Sequence, residues 1–440
     1  MNNITVVGAG LAGCEAAWQC ARRGVKVTLL EQKPLKKSPA HGSDSFAELC
    51  CSNSLRGDSL SNAVGLLKEE LRLCDSLIMT AADATRVEAG TALAVDREGF
   101  SSYITQKICS HPNITVLPTV VEDIPEGRVI IASGPLTEGR LAERIAGIFG
   151  DSSLLSFYDA SAPLVSYDSI DLEKVFFACR NMEGREDYIN CPMDKEQYLA
   201  FREALALAEE APVHGFEDSR VFEGCMPVEV MARRGVDTLR YGPLKRVGLT
   251  DPRTGRWPYA VVQLRRDNSE GSVYNMVGFQ THLKFGEQKR VFSMIPGLEN
   301  AEFLRYGVMH RNTYIRSPGL LDSFYRLRSD PRISFAGQMT GVEGYVESTA
   351  SGLYAGIAAA AELGGRETVP LDRRTAIGAL SEYISKGGET DFQPMNVNYG
   401  IIDTEIPGAG KKEARLLAAE RALGIVRDWE ERVVHNEDNR

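Results

Sequence analysis

Two cysteines lie in contexts that favour thiol chemistry. Cys225 comes just before Pro227, which suits the first position of a short helix that would end at Gly235. A thiol at a helix N-terminus, with arginines nearby in sequence, has a lowered pKa and a larger thiolate fraction. Cys51 lies in a polar, turn-forming segment rather than among apolar neighbours. Thiolates act as nucleophiles and bases, so both cysteines are candidate catalytic residues, although free cysteines are also common as inert core residues.

A second group of residues fits the binding of a dinucleotide. The N-terminal glycine motif reads Gly8-Ala9-Gly10-Leu11-Ala12-Gly13. In such a motif Gly8 permits a tight turn, Gly10 lets the backbone approach a pyrophosphate, and Gly13 lets the following helix pack closely against the strand. The N-terminus of that helix presents N–H groups and the positive end of its dipole to the phosphates.

The elements around this motif complete a strand–turn–helix–strand unit. The β-branched run 4–7 predicts the first strand, and the apolar run 25–30 predicts the second. The second strand ends in Glu31, which lies 18 residues after Gly13, at a spacing where an acidic side chain binds a ribose hydroxyl. Because both strands, the helix and the acid are present, the motif predicts a dinucleotide site rather than an isolated glycine turn.

Another glycine turn lies near the end of the chain. Residues 333–336 predict a short strand that runs into Gly337, and residues 346–361 predict a helix dense in Ala, Ser and Gly. Small residues allow such a helix to pack tightly against a sheet or a cofactor, and its N-terminus favours negative charge. The alternative is an ordinary, tightly packed core helix.

Length and composition limit the class of protein. The chain has 440 residues, enough for two or three domains, and no apolar run approaches the roughly 20 residues of a membrane-spanning helix. The nine cysteines form no spaced framework and the six histidines show no metal-ligand spacing, so neither a disulfide scaffold nor a metal site is indicated. No secretory signal is visible before the first predicted strand, and we expect a cytoplasmic protein.

Charge is distributed unevenly along the chain. The net charge is −10, yet residues 231–330 contain 17 Lys and Arg against 9 Asp and Glu, a net charge of +8, so the rest carries −18. A basic segment in an acidic protein indicates a surface for a polyanion, and the alternative is a solvated face with scattered arginines. His282 and His310 lie in this segment and are candidates for contacting phosphate or for a structural role.

The order of these patterns predicts an α/β fold. We expect a Rossmann-like cofactor-binding domain, a parallel sheet with helices, made of residues 1–155 and 325–440. Residues 156–324 would form an inserted α+β domain that carries the basic surface. Within it, Asp194 and Gln197 predict a capping box at a helix N-terminus.

Several longer stretches resemble a single family. Besides the glycine motif, they are residues 46–54, 62–70, 92–97, 222–230, 276–283, 306–313 and 335–348. These stretches are similar to the folate- and FAD-dependent tRNA (uracil-5-)-methyltransferases, the TrmFO family. Because the matches are spread from residue 4 to about residue 400, the resemblance covers nearly the whole chain.

The resemblance implies a specific chemistry. NAD(P)H reduces bound FAD, and a one-carbon unit from 5,10-methylenetetrahydrofolate passes by way of the flavin to C5 of the T-loop uridine of tRNA (position 54). Uracil C5 is a poor nucleophile until a thiolate adds at C6, and a second group must remove the C5 proton. By resemblance, Cys225 matches the nucleophile and Cys51 a second functional cysteine, with roles that remain exchangeable. Tyr345 matches a position beside the flavin.

One position departs from the family pattern. Cys50 stands where the family commonly has an aliphatic residue, and successive residues of an extended backbone point to opposite faces, so we expect only one of Cys50 and Cys51 to face the cofactor. Two other functions stay open. One is an FAD-dependent enzyme that modifies the wobble uridine of tRNA, and the other is a non-catalytic flavin-bound RNA-binding protein. We expect no membrane contact and infer no obligate protein partner.

Overall fold

The computed structural model describes residues 3–38, 40–149, 154–212, 226–387 and 392–435. The strands are β1 (Asn3–Val7), β2 (Lys26–Glu31), β3 (Ser54–Gly57), β4 (Arg86–Val87), β5 (Ala92–Val95), β6 (Ile114–Pro118), β7 (Val129–Ile131), β8 (Leu154–Ala160), β9 (Leu164–Ser166), β10 (Phe176–Phe177), β11 (Tyr188–Met193), β12 (Ala260–Arg266), β13 (Val273–Met276), β14 (Phe303–Arg305), β15 (Met309–Ile315) and β16 (Ile333–Phe335). The helices are α1 (Leu11–Arg22), α2 (Ala63–Leu73), α3 (Leu77–Ala84), α4 (Arg97–Ser110), α5 (Gly139–Phe149), α6 (Lys195–Leu207), α7 (Val228–Arg234), α8 (Thr238–Tyr241), α9 (Phe285–Phe292), α10 (Tyr345–Leu363), α11 (Ala376–Lys386) and α12 (Lys411–His435). None of these helices is long and apolar enough to cross a membrane.

A five-stranded parallel sheet forms the first layer, in the order β16-β7-β1-β2-β6. Every residue of β7 and β16 is buried, as expected for parallel strands that are covered on both faces. The last strand in sequence, β16, joins the edge beside β7, so the sheet is assembled from the two ends of the chain. The predicted Rossmann-like α/β class is confirmed.

A six-stranded antiparallel sheet forms a second layer, in the order β10-β11-β12-β13-β9-β14. It has its own apolar core, in which Tyr198 and Phe201 of α6 are fully buried. The predicted capping box at the start of α6 is present: Asp194 and Gln197 exchange two hydrogen bonds of 2.9 Å. All strands of this sheet lie between residues 164 and 305, within the predicted insertion, although the domain borders themselves stay a prediction.

Two smaller sheets join these layers. Strands β8 and β15 pair as an antiparallel ribbon along their full lengths, so the chain leaves the parallel sheet and returns to it side by side. Strands β3, β5 and β4 form a three-stranded sheet that follows the segment containing Cys51. Cys51 therefore lies where the two layers meet.

Helices α1 and α10 pack backbone against backbone. A Cβ atom added at Gly352 would lie 2.1 Å from the carbonyl oxygen of Ala12, and one at Gly356 would lie 2.8 Å from that of Ala16. The predicted helix dense in small residues is therefore a core helix, and its glycines let it approach the helix that follows the glycine motif.

This close contact predicts the effect of a single methyl group. Gly352→Ala should lower the free energy of unfolding by about 1–3 kcal/mol, because the new methyl overlaps a backbone atom that cannot move alone. Chemical denaturation of the purified protein measures this change.

The control is Gly424→Ala in α12, where an added Cβ meets no atom within 4 Å. There the higher helix propensity of alanine should leave the free energy of unfolding unchanged or raise it by up to about 1 kcal/mol. Equal effects of the two substitutions would contradict the packing argument.

Candidate active site

A cleft lies along the carboxyl ends of the parallel strands. Its lining includes the residues that follow β1, β7 and β16, namely Gly8, Ala132 and Gly337, together with Glu31 at the end of β2. The cleft has a volume of about 1570 Å³, including space open to solvent. Ligands of open α/β sheets bind at this edge, so the sheet topology alone assigns the cleft as the binding site.

The glycine motif forms one wall of this cleft. Gly8 has φ +96°, and an added Cβ would lie 2.6 Å from the carbonyl oxygen of Ala132. Ala9, Leu11 and Ala12 also line the cleft. Gly10 precedes the first residue of α1, and an added Cβ there meets no atom within 4 Å, so its backbone is open to a ligand.

Gly13 differs from the other residues of the motif because it does not line the cleft. A Cβ atom at Gly13 would lie only 1.8 Å from the carbonyl oxygen of Gly8. Gly13 therefore allows α1 to pack closely against the glycine turn, on the side of the turn away from the cleft.

Glu31 is buried and joins the glycine turn to the chain after β2. One carboxylate oxygen accepts the N–H of Ala9 at 2.6 Å, and the other accepts that of Lys33 at 2.9 Å. Glu31 also lines the cleft. Each of its carboxylate oxygens has a second lone pair, which can accept a hydrogen bond from a ribose hydroxyl. The N-terminus of α1 at the cleft, the open backbone at Gly10 and this acid fit the dinucleotide FAD.

Opposite this wall, Tyr345 begins α10 and lines the cleft with Gly337. The Tyr345 hydroxyl accepts the N–H of Cys51 at 2.8 Å. Burial raises the pKa of Tyr345 well above its ordinary value, and the nearby cysteines raise it further, so the side chain stays a neutral phenol. The predicted positions of Gly337, Tyr345 and Cys51 therefore come together in one cleft.

Both Cys50 and Cys51 line the cleft, so the lining does not single out one of the two residues, and which thiol faces the cofactor stays a prediction. The backbone bends at these two residues instead of running extended, and alternation of side chains does not apply. The Cys51 Sγ donates to the carbonyl oxygen of Ala160 at 3.5 Å, which lies at the end of β8.

Burial raises the pKa of Cys51 to about 12, and the carboxylate of Asp159 raises it as well, while Arg97 and Arg305 oppose the shift. Cys51 is therefore a thiol at neutral pH. Burial, followed by the charge of Glu48, also raises the pKa of Cys50 to about 12.

Two further residues of the site were not singled out as catalytic from the sequence. Gln338 lines the cleft and donates its side-chain N–H to the buried carboxyl of Glu343 at 2.6 Å. Burial, followed by the charge of Asp159, raises the pKa of Glu343 to about 8, so this carboxyl is largely protonated at neutral pH. Both follow the second glycine turn, and only their place after a strand of the parallel sheet could have indicated them.

The two histidines of the basic segment have different surroundings. His310 lines the cleft, and burial together with the neighbouring His41 and Arg305 lowers its pKa, so it is neutral at pH 7. His282 is buried between Glu210 and Glu229, with N–O distances of 2.5 and 2.7 Å. His282 therefore has a structural role.

Cys225 lies outside the described residues. The helix predicted after it is present as α7, with Pro227 as the N-cap residue and Gly235 as the C-cap residue. Arg233 at the end of α7 pairs with Glu210.

Comparison with known proteins places these features in a family. The family model described as "GIDA: Glucose inhibited division protein A" matches residues 3–367. A protein of Acetivibrio thermocellus is 58% identical over 97% of this chain and 98% of its own length, and one of Listeria monocytogenes is 56% identical over 97% and 98%. Both are named methylenetetrahydrofolate--tRNA-(uracil-5-)-methyltransferase TrmFO. The chain belongs to the glucose inhibited division protein A family and, among its members, to the TrmFO proteins. The resemblance inferred from the sequence is confirmed.

Two solved crystal structures have the same fold as this chain. The form II crystal structure of Aquifex aeolicus GidA matches 99% of this TrmFO chain and 74% of that chain, with a TM-score of 0.70 and 16% identity. The form I crystal of the same protein gives a TM-score of 0.70 and 17% identity. At this identity the likeness establishes a common fold, whereas the full-length matches above 50% identity establish the TrmFO relationship.

The open backbone at Gly10 predicts a variant that folds but does not bind the cofactor. Gly10 lines the cleft and an added Cβ there meets no atom within 4 Å, so Gly10→Leu should place a side chain in the cofactor's space, and the purified variant should be colourless and keep its circular-dichroism spectrum. Absorbance at the flavin bands measures the bound cofactor.

Gly286→Leu is the matched control, since an added Cβ there also meets no atom within 4 Å and Gly286 lies outside the cleft. This control should be as yellow as the wild type. A yellow Gly10→Leu protein would contradict the assignment of the cleft.

Proposed function

We propose that this chain methylates C5 of the T-loop uridine of tRNA, with FAD bound at the glycine motif, 5,10-methylenetetrahydrofolate as the one-carbon donor and NAD(P)H as the reductant. The observation that carries this proposal is the meeting of the dinucleotide cradle and Cys51 in one cleft, in a chain that belongs to the TrmFO proteins. We infer that it acts in the cytoplasm.

The residues of the cleft have separate tasks in this reaction. The glycine turn and the N-terminus of α1 bind the pyrophosphate, and Glu31 binds the ribose. The neutral phenol of Tyr345 holds the backbone of Cys51 at the cleft. Bound FAD supplies a carrier for the one-carbon unit and the electrons that make it a methyl group.

We assign Cys225 as the nucleophile and Cys51 as the base. Addition of a thiolate at C6 makes C5 nucleophilic, and Cys225 matches the family position for that step. The Cys51 thiolate is rare at neutral pH because burial raises its pKa to about 12, but once formed it is strongly basic. A strong base buried beside the cofactor suits removal of the C5 proton.

The basic segment supplies a surface for the body of the tRNA. Lys245 and Arg256 are exposed and form no ion pair among the described residues, and the aromatic side chains of Tyr241 and Trp257 beside them in sequence are 86% and 50% exposed. Cations interleaved with aromatic rings are typical of RNA contacts. Arg233 is a weaker candidate, because its charge is already paired with Glu210.

Removal of either thiol tests the catalytic assignment. Cys225→Ala and Cys51→Ala should each abolish transfer of label from methylenetetrahydrofolate to a T-loop transcript, while the protein stays yellow because the glycine motif is unchanged. Cys109→Ala, at an exposed cysteine, is the control and should retain full activity.

The two cysteine roles are separated by 5-fluorouracil in the transcript, whose C5 carries no removable proton. Cys51→Ala should still form a covalent complex with this RNA, and Cys225→Ala should not. The reverse pattern would exchange the two roles, and loss of flavin from Cys225→Ala would indicate a structural cysteine.

The tRNA surface predicts a change in salt dependence. The double variant Lys245→Ala/Arg256→Ala should bind tRNA more weakly, and the slope of log K against log salt should fall by about 2, since each lost phosphate contact removes about 1. Arg140→Ala is the control, because this exposed arginine of α5 pairs with Glu122 and lies outside the basic segment. An unchanged slope in the double variant would place the RNA surface elsewhere.

A further inference from the structure

The bend that carries Cys51 is held from the antiparallel sheet. Arg265 of β12 donates its Nε–H to the side-chain oxygen of Asn53 at 3.0 Å and a terminal N–H to the hydroxyl of Ser52 at 2.7 Å. Arg265 is only 6% exposed and Asn53 is completely buried. The residues immediately after Cys51 are therefore fixed by a guanidinium from a strand more than 200 positions later.

Asn53 uses its whole side chain in this contact. Its amide nitrogen donates to the carbonyl oxygens of Val95 and Arg266, each at 2.9 Å, while its oxygen accepts from Arg265. The bend is thereby joined to β5 and to β12 at once. A shift of the antiparallel sheet relative to the parallel sheet would move Cys51.

Two more arginines reach the same bend. Arg305 of β14 donates to the carbonyl oxygen of Cys51 at 3.4 Å, and Arg97 donates to that of Leu49. Arg97 also forms a two-pronged ion pair with Asp267, with both N–O distances 2.9 Å. Three guanidinium groups from α4, β12 and β14 thus surround the segment of the two cleft thiols.

Among the residues that the structure describes, one of these three cations has a carboxylate partner. Asp267 pairs with Arg97, whereas Arg265 and Arg305 form no ion pair with a carboxylate among the described residues. The Nε of Arg305 is buried and has no hydrogen-bond partner among them. Since an unpaired buried charge is costly, this excess positive charge requires an anion beside the bend.

Several charged and titratable groups among the described residues act on the Cys51 thiol. Arg97, Arg265 and Arg305 are positive and Asp159 of β8 is negative, and the neutral phenol of Tyr345 and the thiol of Cys50 lie near it. The ionised form of Cys51 is an anion that this surrounding would favour: Asp267 offsets Arg97, and the cations Arg265 and Arg305 then remain against the single carboxylate of Asp159.

We propose that Arg265 and Arg305 are positioning residues for Cys51: they hold the bend at the cleft and stabilise the negative charge that Cys51 carries when it acts as a base. This proposal rests on the proposed catalytic role of Cys51. It makes the antiparallel sheet a part of the active site and gives the strands β12 and β14 a function in catalysis besides forming part of the sheet.

The test measures the pH dependence of thiol alkylation in the FAD-loaded protein. Wild type, Arg265→Gln, Arg305→Gln, Arg265→Lys and Arg266→Gln are treated with iodoacetamide between pH 7 and 10, and fragment ions of the tryptic peptides give the rates at Cys51 and Cys109. Below its pKa a thiol reacts in proportion to its thiolate fraction. Loss of one neighbouring cation should therefore slow Cys51 about tenfold at each pH, equivalent to about one pKa unit.

Arg266→Gln is the matched control, because Arg266 follows Arg265 on the same strand and has a side chain that is 35% exposed and pairs with Glu88. Arg266→Gln should keep the wild-type profile at Cys51, Arg265→Lys should restore most of the rate lost in Arg265→Gln, and Cys109 should react equally in all five proteins. If Arg265→Gln does not fold, Arg305→Gln alone decides the outcome.

An unchanged or faster Cys51 rate in the folded glutamine variants would overturn the proposal, even if methylation were slower. The alkylation profile needs no tRNA and no folate. Failure of the proposed function would therefore appear as absent methyl transfer by the wild type, which is distinguishable from failure of the positioning role.

Discussion

The contact between α1 and α10 is the constraint on which the cofactor site depends. Each helix presents backbone atoms to the other, since Gly352 and Gly356 let α10 approach the carbonyl oxygens of Ala12 and Ala16. The same α1 is pressed against its own turn through Gly13. With one face closed in this way, the N-terminus of α1 is directed at the cleft, and the start of α10 brings Tyr345 to the opposite wall.

A second constraint acts at the other end of the cleft, where a few polar contacts join the two layers. Asn53 and Arg265 satisfy each other in a buried contact, and neither could be removed without leaving a polar group unpaired. Cys51 therefore has a position set from both sides, by Tyr345 through its backbone N–H and by Arg305 through its backbone oxygen. Chemistry at this thiol depends on both sheets being in place.

The sequence predicts most of the fold because its strongest signals are local. The glycine motif, the apolar run of β2 and the capping box at Asp194 each depend on residues within one turn or one strand, and all three are present as expected. The assignment of residues 8–12 to the cleft follows from the same local pattern. Gly337, Tyr345 and Cys51 also lie at the cleft; Cys51 was a candidate from its polar context, whereas family resemblance alone indicated Tyr345.

What the sequence did not predict depends on contacts between distant segments. Asn53 and Arg265 are 212 positions apart and carry no pattern that relates them. The raised pKa of Cys51 and that of Glu343 result from burial, which is a property of the packed structure. The alternation expected at Cys50 and Cys51 assumed extended backbone where the chain bends, and a bend among polar residues has no periodicity to detect.

The order of the strands in the parallel sheet has a consequence for biosynthesis. The first strand and helix leave the ribosome early, but α10, which packs on α1, and the edge strand β16 follow more than 300 residues later, after the complete antiparallel sheet. Ala12 and Ala16 gain their packing partners only when Gly352 and Gly356 have been translated. Until then the nascent N-terminal segment is incompletely packed and exposes apolar surface. A chain that ended before Gly337 and Tyr345 would lack one wall of the cleft, so we expect FAD to bind only after these residues have been translated.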